Sequence, residues 1–346
     1  MLMKRPILIL ATAAAVFAGA PMVFAAAFNP KDVAADPALL LHVDCDALRA
    51  SSVGQSILAE QEVQDKLAAV GAIFDFDLRK QLHGLTVYTT EEHPKDGALI
   101  VYADFDPNRL ITLAKGTYGF QGVTNGLVSF GPDGAGAAKG IEGLKSTTNG
   151  SHVIYSWLGD NKKGKDGERP RVYGAIMGHR VIFGQNENHL ADALDVLDGK
   201  AANFSGKKGL PEAAEGESIL AEGVMLKFDF DSDDQNAAVF KMSKSVRLKL
   251  SEMAGNMTAH VRFEANDADT ANNIGNIAQG LLALLKLQKG DADIMKLANA
   301  IVIKQDGPAV GLTLSVPSSE LIKTIKEGQK KAEEKAQDTN TPPETK

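Results

Sequence analysis

The chain of 346 residues contains one cysteine, Cys45, and one tryptophan, Trp157. A lone cysteine excludes an intramolecular disulfide, so packing alone must hold the fold. At its place beside a strand-like run, Cys45 reads as a buried, inert thiol. Aromatic residues make up only 6% of the chain. That scarcity speaks against a carbohydrate-binding face, because sugar rings are held by several aromatic platforms. An excess of basic charge is also missing: the formal net charge is −7, and two units more negative once Lys4 and Arg5 are removed. This balance favours solubility and argues against nucleic acid as a partner. After the N-terminus no apolar run is long enough to cross a bilayer, and the most hydrophobic, Ile277 to Leu287, is short and ends in lysines. The run from Ala25 to Phe28 has no cysteine to carry a lipid, so no lipid anchor is expected.

The N-terminus itself is informative. Lys4 and Arg5 precede an uncharged stretch from Pro6 to Ala20, followed by small residues suited to signal peptidase. Residues 1–25 therefore read as a secretory signal peptide cleaved after Ala25, with Ala27 as the alternative site. The expected location is the periplasm or the extracellular medium. With 44% hydrophobic residues and 13 prolines, the remainder has the composition of a globular chain long enough for two ordinary domains.

One phrase recurs: a strand-like apolar run, acids spaced Asp-x-Asp, then a helix-like run. It occurs at Leu39 to Val43 with Asp44 and Asp46, at Leu99 to Ala103 with Asp104 and Asp106, and at Val224 to Phe228 with Asp229 and Asp231. The second acid of a copy is expected to cap the following helix, most clearly Asp106 before Pro107. Strands are predicted at Ala38 to Val43, Leu82 to Thr89, Ala98 to Ala103, His152 to Leu158, Arg171 to Met177, Arg180 to Gly184 and Val224 to Phe230. Strict alternation from Ser245 to Glu264 predicts a hairpin turning at Gly255 and Asn256, and a second hairpin spans Ala300 to Val316. Helices are predicted over Asp46 to Val70 with an interruption near Gly54, Pro107 to Lys115, Asn188 to Leu197, Ala268 to Leu287 and Asp293 to Ala298, and beyond Pro317.

These elements imply an α+β fold of two related lobes, each an antiparallel sheet of hairpins with helices packed on one face. The lobes are assigned to residues 28–199 and 218–336, joined by a linker at 200–217 that lacks any periodic pattern. Residues 337–346 read as a disordered polar tail. The loop from Gly159 to Pro170 holds Lys162, Lys163, Lys165 and Arg169 beside three acids and reads as a solvated hairpin tip.

No catalytic, cofactor or metal site can be assigned from motifs. The acids Asp229, Asp231, Asp233 and Asp234 offer several oxygens to calcium, but the position that needs glycine is Asp234 and the terminal acid position is Phe240. An acidic turn complementing a helix dipole is the simpler reading. The seven histidines, at 42, 83, 93, 152, 179, 189 and 260, show no zinc-ligand spacing and read as surface or strand residues. In the glycine-rich run Gly131 to Gly140, Lys139 is followed by Gly140 where a phosphate loop requires Ser or Thr. Ser205 and Lys208 have the SxxK spacing without its partner motifs, and no GxSxG occurs. Sequons stand at Asn149, Asn203 and Asn256.

The segment Leu41, His42, Val43, Asp44, Cys45, Asp46, Ala47, Leu48, Arg49, with Ser51 to Gly54 after it, resembles the start of uncharacterised secreted bacterial α+β proteins, as does the later run Asp195 to Gly199. The resemblance implies export and an α+β fold, with no catalytic residues to carry over. The expectation is a soluble exported protein without cofactor, a binding or envelope-associated structural module acting on a protein or small molecule. The alternatives are a hydrolase or metal-dependent enzyme whose residues converge only in space, and a carrier of an apolar ligand.

Overall fold

The computed structural model describes residues 27–74, 76–90, 97–115, 120–124, 127–130, 142–159, 169–184, 186–207, 210, 212–226, 240–287 and 292–339. Fourteen strands are found among them: β1 (Leu39–Asp44), β2 (Leu82–Thr89), β3 (Gly97–Ala103), β4 (Phe120–Thr124), β5 (Leu127–Phe130), β6 (Lys145–Asn149), β7 (His152–Leu158), β8 (Arg171–Met177), β9 (Arg180–Gly184), β10 (Ser218–Met225), β11 (Ser243–Met253), β12 (Asn256–Ala265), β13 (Ile301–Asp306) and β14 (Ala309–Pro317). Helices are α1 (Cys45–Ala50), α2 (Ser52–Leu58), α3 (Gln61–Phe74), α4 (Leu78–Gln81), α5 (Pro107–Lys115), α6 (Glu187–Leu197), α7 (Ala268–Leu287), α8 (Ala292–Ala300) and α9 (Ser318–Thr339).

Twelve strands form one antiparallel sheet in the order β13, β14, β12, β11, β10, β1, β2, β3, β9, β8, β7, β6, while β4 and β5 pair as a separate hairpin. The fold is thus mixed α+β. The expected halves are continuous through one seam, where β1 pairs with β10 from Leu39 opposite Met225 to Val43 opposite Ala221. The first strand of the second half begins at Ser218, ahead of the predicted Val224. The earlier start follows from the pairing, since Ala221, Glu222 and Gly223 all find partners on β1.

Alternation of side chains gives the sheet two differently used faces. Leu40, Tyr88, Ile100, Ile182, Ala175, Ile154 and Val224 point to one face, beneath Leu190 and Leu194 of α6 and beneath Val33 and Phe204. Phe204 is 3% exposed, so the segment 200–217 contributes to the core although its described residues form no regular element. The opposite face carries Val43, Leu82 and Leu85 against Cys45, Leu58 and Leu67. It continues under α9, where Leu321, Ile322 and Ile325 pack with Leu48, Leu220 and Met257. At its far end Phe263 and Val310 meet Ala271 and Ile274 of α7. Among the described residues, helices therefore cover the apolar face of the second half. In the first half they cover both, because β2 and β3 are apolar on both sides and each side needs a cover.

Local signals account for the element ends. Asp106 accepts the Asn108 N–H at 2.9 Å and caps α5, and Asp267 accepts the Thr270 N–H at 2.7 Å and caps α7. In the first copy of the repeated phrase the cap is the first acid: Asp44 accepts the Ala47 N–H at 2.8 Å. Asp46 lies inside α1, free for other contacts. The predicted long helix breaks at Ser51, whose hydroxyl accepts the Gly54 N–H at 3.0 Å and caps α2, and α2 sits so close to α1 that a Cβ at Gly54 would meet the Leu48 carbonyl oxygen.

The β11–β12 turn falls one residue earlier than the pattern suggests, with Met253 opposite Asn256 and the loop made by Ala254 and Gly255. Their φ values are 49° and 75°. Such left-handed pairs suit a two-residue hairpin, but alanine pays a steric cost there that asparagine largely avoids. Ala254→Asn, which creates an Asn-Gly turn, is expected to raise stability by about 0.5–1 kcal/mol, read as a higher urea midpoint at unchanged slope.

Candidate functional site

Strand direction brings together residues far apart in sequence. β1 and β3 both run antiparallel to β2, so they run the same way and their acids emerge at one end of the sheet. β2 starts at that end. Its register with β3 slips between Leu82 and Gly84, leaving His83 without a partner of its own. This β-bulge re-aims the side chain toward the acids of the two neighbouring strands. His83 Nδ1 lies 3.0 Å from Asp46 Oδ2 and its Nε2 lies 3.1 Å from Asp104 Oδ2. The other oxygen of Asp104 meets His179 Nδ1 at 3.1 Å, from the tip of the β8–β9 hairpin. Arg49, one turn along α1, pairs with Asp46.

A second cluster stands beside this chain. Asp32, 5% exposed, accepts from Arg180 Nη1 at 2.8 Å and from the Tyr102 hydroxyl at 3.1 Å. Burial and the Asp32 charge push the Tyr102 phenol upward, so it stays protonated and donates. Between these clusters and the end of α6 lies a cleft of 670 Å³, lined among others by Lys31, His83, Asp104, His179, Arg180 and Asp198. Asp198 at its rim holds Lys200 at 2.7 Å and His152 at 3.0 Å, and these bonds hold its carboxyl below the usual range.

Of the histidines considered individually, His83 and His179 thus converge on one carboxylate. His42 is buried on β1 and bonds Thr86 Oγ1 at 2.8 Å, His152 holds Asp198, His260 bonds Thr313 Oγ1 at 2.8 Å, and His189 is half-buried on α6. His93, Asp229, Asp231, Asp233, Asp234, Lys139, the Gly131 to Gly140 run, Lys162, Lys163, Lys165, Lys208 and residues 1–25 lie outside the described residues. Cys45 is 2% exposed, and burial with the Asp44 charge pushes its thiol up to about 12. Among the described residues no group of three or more His, Cys, Asp or Glu side chains is placed to hold a metal ion. None of their helices is long and apolar enough to cross a membrane. The one sequence signal for the His83 cluster was the repeated Asp-x-Asp phrase. Its meaning depended on which strands lie side by side.

One carboxyl on the face beneath α6 is set apart. Glu222 faces His42 across the β1–β10 seam and Lys249 on β11, and it is 8% exposed. Burial pushes its carboxyl from an ordinary 4.5 up to about 7, against a smaller pull from Lys249. Between those two values the unfolded chain ionises Glu222 while the folded chain keeps it protonated, so folding stability falls as pH rises through this window. Glu222→Gln should leave stability unchanged below the window and raise it above pH 7 by about 1–2 kcal/mol. Urea melts across pH check both limbs; an equal gain at acid pH would assign the effect to packing.

No family model matches the chain, and no curated protein sequence matches it. Among solved structures the chain is similar to TP0453, a Treponema protein of unknown function, in two crystal forms. Crystal form III gives 12% identity over 87% of this chain and 99% of that one, with a TM-score of 0.42. Crystal form I gives 8% identity over 87% and 98%, with a TM-score of 0.41.

Proposed function

We propose that this chain is an exported, non-enzymatic binding or envelope-associated module, and that a polar ligand or partner segment docks in the cleft around Asp104. Export rests on the N-terminal pattern of Lys4, Arg5 and the apolar stretch after them. Phe28 supports a cut just upstream, because it packs on His42 and Phe204 with ring centroids 5.6 and 6.3 Å away. A chain cut after Ala25 or after Ala27 keeps this anchor.

The observation that favours binding over turnover is the state of His83. A general base must turn a ring nitrogen toward its substrate. Both nitrogens of His83 already face carboxylates, at 3.0 and 3.1 Å. The thiol and the phenol nearest the cluster are held protonated, Cys45 by burial and Tyr102 by burial and the Asp32 charge. The cleft therefore presents fixed charges and hydrogen-bond partners, which suits recognition. Asp104 stands half exposed between two histidines, and His179 is 81% exposed, so both can meet an incoming polar group.

Two measurements test this reading. The protein recovered from the periplasm of an expressing bacterium should begin at Ala26 or Phe28 by N-terminal sequencing; retention of Met1 would remove the export reading. In a thermal-shift screen of polar small molecules and peptides, compounds that raise the melting temperature of the wild type should lose that effect in Asp104→Asn and in His179→Gln. Chemical turnover that either substitution abolishes would replace the binding module with an enzyme.

A further inference from the structure

The second half of the sheet has one apolar face, covered by α7 and α9, and one polar face. On the polar face, cross-strand register brings Arg247 directly opposite Arg262 and Lys249 opposite His260. On the next strand Gly311 stands opposite Arg262, and beyond it Lys304 stands opposite Gly311. Three cations, Arg247, Arg262 and Lys304, therefore lie in one row across four strands, with a residue that has no side chain between the last two. Like charges directly opposite one another destabilise a sheet. That cost is borne here in a chain whose net charge is −7.

Among the described residues the neighbouring acids leave much of this charge uncompensated. Glu217 takes Lys249 at 2.8 Å and also Ser251 Oγ at 2.6 Å. Burial alone would raise that carboxyl, but the Ala214 N–H and the bonds from Lys249 and Ser251 bring it down to about 2, so Glu217 is fully committed. Glu264 reaches Arg262 only at 3.5 Å. Arg247 is half-buried, and its Nε is buried without a hydrogen-bond partner. A buried guanidinium nitrogen without an acceptor is costly. The floor beside Arg262 is open because Gly311 has no Cβ, and the His260 ring fills part of that space, 3.2 Å from where a Cβ would stand. His260 is held below its ordinary value by burial and by Lys249 and Arg262, which reports the same positive field.

We infer that the row Arg247, Arg262, Lys304 is a binding site for a small soluble molecule carrying a phosphate group. Two opposed guanidiniums and an ammonium match an oxyanion that bears more than one negative charge, which a single carboxylate does not, and guanidiniums engage phosphate oxygens in pairs. A free phosphate compound fits better than an anionic bilayer. Glu217 and Glu264 border the row, and the net negative charge of the chain would oppose approach to an anionic membrane. The site lies on a different part of the sheet from the Asp104 cleft and does not depend on the reading given to that cleft.

Inorganic pyrophosphate, titrated calorimetrically into the full chain at low salt, is the probe. Saturable binding is expected, weakened by more than about tenfold in Arg247→Gln and in Arg262→Gln. Arg262→Lys should fall between, since it keeps the charge and loses the paired geometry. Lys207→Gln, at a surface cation paired with Asp36, should bind as the wild type does. Without pyrophosphate, Arg262→Gln should melt no lower than the wild type, because it relieves the opposed charges; this separates loss of a site from damage to the sheet. Absence of saturable binding, or an equal loss in Lys207→Gln, would overturn the proposal.

Discussion

The pairing of β1 with β10 is the interaction on which the rest of the molecule depends. β1 is the first strand of the chain and ends at the centre of the sheet, with β2 on one side and β10 on the other. Each residue from Leu39 to Val43 has a partner on both strands. The backbones are close enough there that a Cβ at Gly223 would come within 2.8 Å of the Leu40 carbonyl oxygen. Closing this seam brings together residues nearly two hundred positions apart, a large loop entropy that the buried face of the sheet must offset. Leu40 and Val224, neighbours across the seam, belong to the same core as α6, so the burial that fixes the seam also fixes that helix.

The seam also sets where ionisable groups meet. An antiparallel sheet reverses every neighbour, so strands two apart share a direction. β1 and β3 deliver Asp46 and Asp104 to the same end, and the bulge at the start of β2 puts His83 between them. β10 runs opposite to β1 and finishes at the other end of the sheet, and the acids that follow it lie outside the described residues. The same phrase used three times thus yields one cluster from two copies. The role of each acid differs with its position: Asp44 and Asp106 cap helices, while Asp46 and Asp104 hold a histidine.

The two faces are equally unequal in chemistry. Beneath α6 a chain of polar groups, His42, Thr86, Tyr102, Asp32 and Arg180, runs through an otherwise apolar layer, linked at 2.8 to 3.5 Å. Such a buried network is tolerable only when its members satisfy one another. On the second half the same face turns cationic, and among the described residues its acids serve Lys249 better than the arginines. The apolar side carries the stability of that half.

Most of the elements were legible in the sequence because they rest on local rules: period-two alternation for β11 and β12, Asp-Pro for the start of α5, Asp267 ahead of an amphipathic run for α7. The turn at Ala254 and Gly255 was displaced by one residue because register, set by two long strands, outweighed the preference of asparagine for the turn. The strand at Ser218 began earlier than its apolar run because pairing partners on β1 extended it. The site was not legible. Asp46, His83, Asp104 and His179 share no spacing, and the extra residue that aims His83 leaves no trace in composition. The opposition of Arg247 and Arg262 was equally hidden, since alternation says which residues share a face but not which face each other across strands. Sequence alone determined the local elements and the absence of recognisable catalytic motifs, because those depend on neighbours a few residues away. Strand order, the seam and every cluster of charge were decided only by tertiary structure, because they depend on which distant strands share backbone hydrogen bonds.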